Sequence, residues 1–234
     1  MCHTPEDFYK ACRAGSILGT MQAGYTDFKF LSDISKKIFA REALIGVSIT
    51  GWMNNPDVLF DKKVLEKGAK IVKEVNREVA NLLGINPAAR TTCVKPSGNA
   101  SVLLQTASGI HAEHSRMYIR NVQMTKDSEV TQAIQKANPY MVEDSVWSAT
   151  NSDVVVSFPI IPKKGSYVKE DLVGVDHLEK VKLVQQHWVN AGTNEELCAD
   201  KGVRHNVSNT ILVDDWHKVE KYVFKNRYSF AGIS

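Results

Sequence analysis

The stretch Arg90-Thr-Thr-Cys-Val-Lys-Pro-Ser-Gly-Asn-Ala-Ser101 decides how this chain is read. A short β-rich run stops at Lys95-Pro96, and a small-residue helix start follows at once. A helix start leaves backbone N–H groups unpaired and carries the positive end of the helix dipole, so phosphate oxygens can be held there without side-chain charge. Ser97 is expected as the N-cap, and Gly98 lacks the Cβ that would keep a phosphate off the backbone. On capping preferences alone, the same residues also describe an ordinary capped helix after a turn.

Working outward, strands and amphipathic helices alternate. Upstream, Leu44-Ile-Gly-Val-Ser-Ile-Thr50 is a nearly continuous apolar run ending at Gly51, which predicts a strand buried on both faces. The clearest helix is predicted over Asp61 to Leu83, where Val64, Gly68, Ile71, Val72, Val75, Val79 and Leu82 recur at three- and four-residue spacing and Gly84 stops it. Further helices are expected from Pro5 to about Leu18 with Phe8, Ala11, Cys12 and Leu18 inward, from Ile34 to Ala43, from Ser128 to Lys136, and from Asp176 to about Ala191. A last helix follows a cap at Asp214. Strands are expected at Thr91–Lys95, Met117–Met124, Asp153–Phe158 and Val207–Val213, with a surface excursion between Pro162 and Val175. This pattern predicts an α/β fold with mostly parallel strands.

Bulk properties narrow the classes. The 234 residues are enough for a substantial core, with 43% hydrophobic and 24% charged residues, as in ordinary globular chains. No apolar run approaches the roughly 20 residues of a membrane span, and the N-terminus lacks the pattern of a secretory signal, so a cytoplasmic location is the expectation and no membrane partner is. The net charge of +3 is dispersed, without the basic stripe that nucleic acid requires. Cys2, Cys12, Cys93 and Cys198 form no CxxC pair, so free thiols are expected. His111 and His114 lack the third ligand and the helical spacing of a zinc site, and no metal is expected.

The wider context adds Arg41-Glu-Ala-Leu-Ile-Gly-Val-Ser-Ile-Thr-Gly-Trp52, Gly84-Ile-Asn-Pro-Ala-Ala-Arg90, Ser108-Gly-Ile-His-Ala-Glu-His-Ser115, Tyr118-Ile-Arg-Asn121 and Arg204-His-Asn-Val-Ser-Asn-Thr-Ile211. In this order the segments resemble the adenosylcobalamin-dependent (class II) ribonucleotide reductases over almost the whole chain. The resemblance implies part of a ten-stranded α/β barrel, with residues 1–234 forming a single partial catalytic-barrel domain. It further implies ribonucleotide substrates, thiyl-radical chemistry started from adenosylcobalamin, and an external thiol reductant.

Carried over residue by residue, the resemblance assigns Ser97, Gly98, Asn99, Ala100 and Ser101 to substrate phosphate, and Ile110, His111 and Asn206 to the lining of the active site. Many relatives have Thr where this chain has Asn99. The family's finger-loop motif Asn-Pro-Cys-Gly-Glu, which carries the radical cysteine and the catalytic carboxylate, occurs nowhere in the sequence. No catalytic residue is therefore assigned, and a complementary polypeptide carrying that loop is expected as partner. Two alternatives stand beside this reading. One is a non-catalytic nucleotide-binding or accessory protein derived from the barrel. The other is an unrelated α/β enzyme drawing its acid and base from Asp27, Glu113, His111 and His114.

Overall fold

In the computed structural model, which describes residues 2–234 except the side chain of Asn99, the chain divides into two compact units. The larger is formed by residues up to Glu113 together with Lys164–Ser234, and the smaller by His114–Lys163.

The larger unit begins with helix α1 (Pro5–Ala23). Thr4 caps it by accepting from the Asp7 N–H, and Pro5 takes the first turn, where no N–H is needed. Its buried face is not the one periodicity predicts. Ala11 and Leu18 are exposed, and Phe8, Cys12, Ser16, Thr20 and Ala23 are buried at steps of three and four. Apolar counting misses Ser16 and Thr20 because each hydroxyl is satisfied inside, Ser16 Oγ donating to Val72 O (2.8 Å) and Thr20 Oγ1 to Ser16 O (2.7 Å). Asn76 completes the seam, its Nδ2 donating to Thr20 Oγ1 and its Oδ1 accepting from the Ala88 N–H.

Helix α2 (Asp33–Glu42) ends at Ala43, which takes a left-handed conformation (φ 42°). Strand β1 is only Val47–Ser48, with Leu44 and Ser48 exposed, so the expected double-sided burial of 44–50 is not found. Gly51 then turns the chain into a 3-10 turn (Trp52–Asn54), followed by the short helix α3 (Pro56–Leu59).

Helix α4 (Lys62–Leu83) follows the prediction closely. The Asp61 carboxylate accepts from the Val64 N–H, and Gly84 closes the helix at φ 69°. Leu82 is the exception, 86% exposed at the penultimate position. Strand β2 (Thr92–Cys93) runs parallel to β1 with Val47 opposite Thr92, and Val94 bridges in parallel to Val207. The predicted strand 207–213 is thereby reduced to a single bridge. Helix α5 (Asn99–Leu103) follows the Lys95–Gly98 turn.

The smaller unit contains β3 (Tyr118–Thr125), α6 (Glu129–Ala137), β4 (Val142–Asp144) and β5 (Asp153–Ile160). These strands form an antiparallel sheet in the order β3-β5-β4, with Val122 opposite Val156. The expectation of mostly parallel strands therefore fails here. Strand spacing alone does not distinguish a hairpin-like return from a crossover when a helix lies between the strands.

Back in the larger unit, the 162–175 stretch is no surface excursion. Ser166, Val168 and Leu172 are buried, and the Tyr167 N–H donates to Met53 O. Helix α7 (Val175–Val184) continues directly into a π-helical segment, Gln185–Asn190, and α8 (Trp216–Lys225) is capped by Asp215 rather than Asp214. The main core packs Phe8, Trp52, Met53, Leu65, Val72, Val94, Ile110, Val181 and Trp188, with Phe230 partly buried against it.

Candidate functional site

Parallel strands direct their carboxyl ends into the same crevice, the usual ligand position in open α/β sheets. Here β1 delivers Thr50, and β2 delivers Lys95 to Gly98. Gly98, not Ser97, sits at the cap of α5, at φ 47° and ψ −121°, a backbone conformation that excludes ordinary side chains. A Cβ placed on Gly98 would meet no atom within 4 Å, so the backbone there faces open space.

Ser97 is displaced from its expected cap by a better partner. Its hydroxyl lies 2.6 Å from Thr50 Oγ1, which also accepts the Gly109 N–H (3.0 Å) and donates to Ala107 O (3.0 Å). With the one Thr50 proton given to Ala107, the Ser97 hydroxyl is the donor in the pair. The Ser97 N–H donates to Ser108 Oγ (2.9 Å), and the Lys95 N–H to Ser48 Oγ (3.0 Å). Strand end, turn and the Ser108-Gly-Ile-His loop thus form one hydrogen-bonded unit. Sequence reading missed Ser48, Thr50 and Ser108. Their signal was position, since Ser48 and Thr50 lie at and just beyond the end of the neighbouring parallel strand.

The remaining predicted residues are placed as follows. Ala100 is exposed and its N–H donates to Ser97 O, while the buried Ser101 turns both its N–H and its hydroxyl onto Gly98 O. Asn99 opens α5, and its side chain lies outside the described residues. Ile110 is fully buried in the core, so its side chain faces no open site. His111 is half-buried, with Nδ1 2.9 Å from Ser108 O; a carbonyl only accepts, so Nδ1 carries the proton. Asn206 accepts the Val94 N–H through its backbone oxygen, and its Oδ1 is buried with no partner among the described residues. Asp27 is exposed, and His114 belongs to the smaller unit.

Behind the turn lies a buried polar knot. Asn54 Nδ2 donates to Glu113 Oε1 (2.8 Å) and Ser166 Oγ (3.2 Å), and Asn54 Oδ1 accepts from Thr106 Oγ1 (2.6 Å) and the Ala107 N–H (2.8 Å). His177 is buried beside it and bonded through Nε2 to Ile110 O. Burial pulls its pKa down to about 4, a shift the Ile110 bond partly opposes and the neighbouring His111 reinforces. Burial also raises the Cys93 thiol, so it is an inert packing residue rather than a nucleophile.

The architecture is an α/β fold of the kind seen in a class II ribonucleotide reductase. A crystal structure of a B-12 dependent (class II) ribonucleotide reductase superposes with a TM-score of 0.63 at 18% identity, covering 76% of this chain and 29% of that one. In sequence, the chain is 27% identical over 159 residues to the adenosylcobalamin-dependent ribonucleoside-triphosphate reductase of Euglena gracilis, covering 67% of this chain and 22% of the relative. It is 29% identical over 161 residues to the probable adenosylcobalamin-dependent ribonucleoside-triphosphate reductase of Dictyostelium discoideum, covering 67% and 21%. No family model matches. The chain spans about a fifth of the length of these curated relatives. The resemblance read from the motifs is borne out: the chain is a sequence relative of the adenosylcobalamin-dependent ribonucleotide reductases and shares the fold of a class II member.

Proposed function

We propose that this chain is the part of a cobalamin-dependent ribonucleotide reductase that holds the substrate's phosphates. It would act within a ten-stranded α/β barrel whose remaining strands and Asn-Pro-Cys-Gly-Glu finger loop come from a complementary stretch of polypeptide. The reading is carried by the open backbone at Gly98, set at the carboxyl end of β2 in a turn braced by Thr50 and Ser108. Helix α5 has only five residues, so its dipole is weak and local N–H groups at the head of the turn would hold the phosphate. A ribonucleoside di- or triphosphate is the substrate, an external thiol the final reductant, and the cytosol the setting in which such thiols stay reduced.

Adenosylcobalamin would supply the radical. A cleft lined by Gln185, Asn190, Arg204 and Phe230 has a volume of about 470 Å³. A corrin with its adenosyl group exceeds the drug-sized ligands that clefts of roughly 300–1,000 Å³ accommodate. That cleft alone is too small to enclose it.

The test is titration of the chain with ribonucleoside triphosphate, comparing Gly98→Val with Lys95→Ala. A large loss from Gly98→Val and a small one from Lys95→Ala is expected; equal losses would mean that side-chain charge holds the ligand. Peptide mapping of the protein from its native source should find a co-purifying or joined Asn-Pro-Cys-Gly-Glu peptide. Nucleotide binding without that peptide would make the chain a binding module.

A further inference from the structure

The cleft of about 470 Å³ lies at the amino ends of the parallel strands, away from the Gly98 turn. One side is the loop ahead of Val207, where Val203 O accepts from Arg90 Nη1 two residues before β2. A second side is residues 228–231, which lead into the stretch where Ser234 O accepts the Ile211 N–H. No residue of the Gly98 turn lines it.

The third side is the π-helical segment Gln185–Asn190. An α-helix, at 3.6 residues per turn, would set residues five apart about 140° apart around its axis. The wider π turn brings them nearly into line, and Gln185 Nε2 reaches Asn190 Oδ1 at 3.2 Å. Its second proton goes to His205 O (3.1 Å). A carbonyl only accepts, so the orientation of both amides is settled. Gln185 Oε1 is left as an acceptor and Asn190 Nδ2 as a donor, neither with a partner among the described residues. Gln185 is only 3% exposed, and the cleft is where that small opening lies. An acceptor so far removed from water is costly until a donor meets it.

The same cleft carries a free charge and two rings. Lys201 makes no ion pair among the described residues, whereas Arg204 is held by Glu195. Tyr228 and Phe230 supply the aromatic surface.

We propose that this cleft binds a nucleotide whose base carries an amine beside a ring acceptor, as adenine and cytosine do. The amine donates to Gln185 Oε1, the ring nitrogen accepts from Asn190 Nδ2, the base lies against the aromatic rings, and Lys201 takes the phosphate. A bare anion would satisfy Lys201 and leave Gln185 Oε1 unmet; a neutral amide would do the reverse. The volume is in the range of sites for ligands of this size. This site is separate from the phosphate turn and does not rest on the function proposed above.

The experiment is calorimetric titration of the full chain with AMP and with IMP, whose base presents a carbonyl and a ring N–H where adenine presents the amine and the ring acceptor. AMP should bind saturably, and IMP at least about tenfold more weakly. Asn190→Asp keeps the acceptor for Gln185 Nε2 but removes the donor, and Lys201→Ala removes the free cation from an exposed position; each should weaken AMP about tenfold. No saturable AMP binding, equal affinities for AMP and IMP, or AMP binding unmoved by Asn190→Asp or by Lys201→Ala overturns the inference. Loss of AMP on Gly98→Val, with the two cleft variants unaffected, would place the nucleotide at the strand-end turn and overturns it as well.

Discussion

The Thr50 hydroxyl sits 2.6 Å from that of Ser97 and ties the ends of two neighbouring parallel strands together across the mouth of the turn. Thr50→Val keeps the shape but removes an acceptor for the Ser97 hydroxyl and the Gly109 N–H, and a donor to Ala107 O. A loss of about 1–3 kcal/mol in denaturant unfolding is expected, with Thr50→Ser recovering most of it. Nucleotide affinity should fall alongside. A Thr50→Val protein as stable as the wild type would show that the turn is held by its backbone alone.

Asn54 is the hub of the buried knot, meeting Glu113, Ser166, Thr106 and the Ala107 amide. Asn54→Ala should cost about 3 kcal/mol or more, because several buried polar groups lose a partner at once. Chemical denaturation measures it, and a cost below about 1 kcal/mol would mean that water replaces the side chain.

Gly192 is required for space rather than for conformation. A Cβ there would lie 2.0 Å from Thr92 Oγ1 and 2.8 Å from Thr92 Cβ, inside the packing of the π segment against β2. Gly192→Ala should destabilise by roughly 1–3 kcal/mol or more, and Thr92→Ala in the same chain should relieve part of the loss. Gly84→Ala has open space and pays only for its positive φ, so about 1 kcal/mol is expected. Thermal unfolding of the two variants side by side should rank them in that order.

His177 gives the fold a pH dependence whose sign can be worked out. Its folded pKa, about 4, lies below the ordinary 6.5, so the unfolded chain binds the proton more readily. The contribution is complete above about pH 6.5 and is lost as the pH falls toward 4, amounting to roughly 3 kcal/mol. His177→Gln should flatten the stability profile between pH 6.5 and 4. An unchanged slope would assign the acid limb to other groups.

The long helix α4 was legible to within one residue because apolar period and terminal glycine agree on its limits, with Asp61 capping the helix where it was read as its first residue. The turn at Gly98 was legible for the same reason, since proline, glycine and small residues have few alternatives there. The inward face of α1 was not, because its middle is hydroxyls whose partners lie 56 residues away on α4. The short strands β1 and β2 were overestimated. Their flanks are apolar for packing against α1 and the π-helical segment, and periodicity cannot separate that from pairing. The bracing of Ser97 by Thr50 and Ser108 was invisible, since contacts 47 and 11 residues apart leave no local trace.

The seam between α1 and α4 reaches beyond those two helices. Leucines tolerate sliding, but a hydroxyl bonded to one carbonyl does not, so Ser16 on Val72 and Asn76 on Thr20 fix the axial height of α4 against α1. Asn76 passes that height on through its other atom, which holds the Ala88 amide four residues before β2. The elevation at which the Gly98 turn emerges is therefore set by a ruler on the far side of the core. A change of one turn at Asn76 would be read out as a displaced loop rather than as a loosened helix.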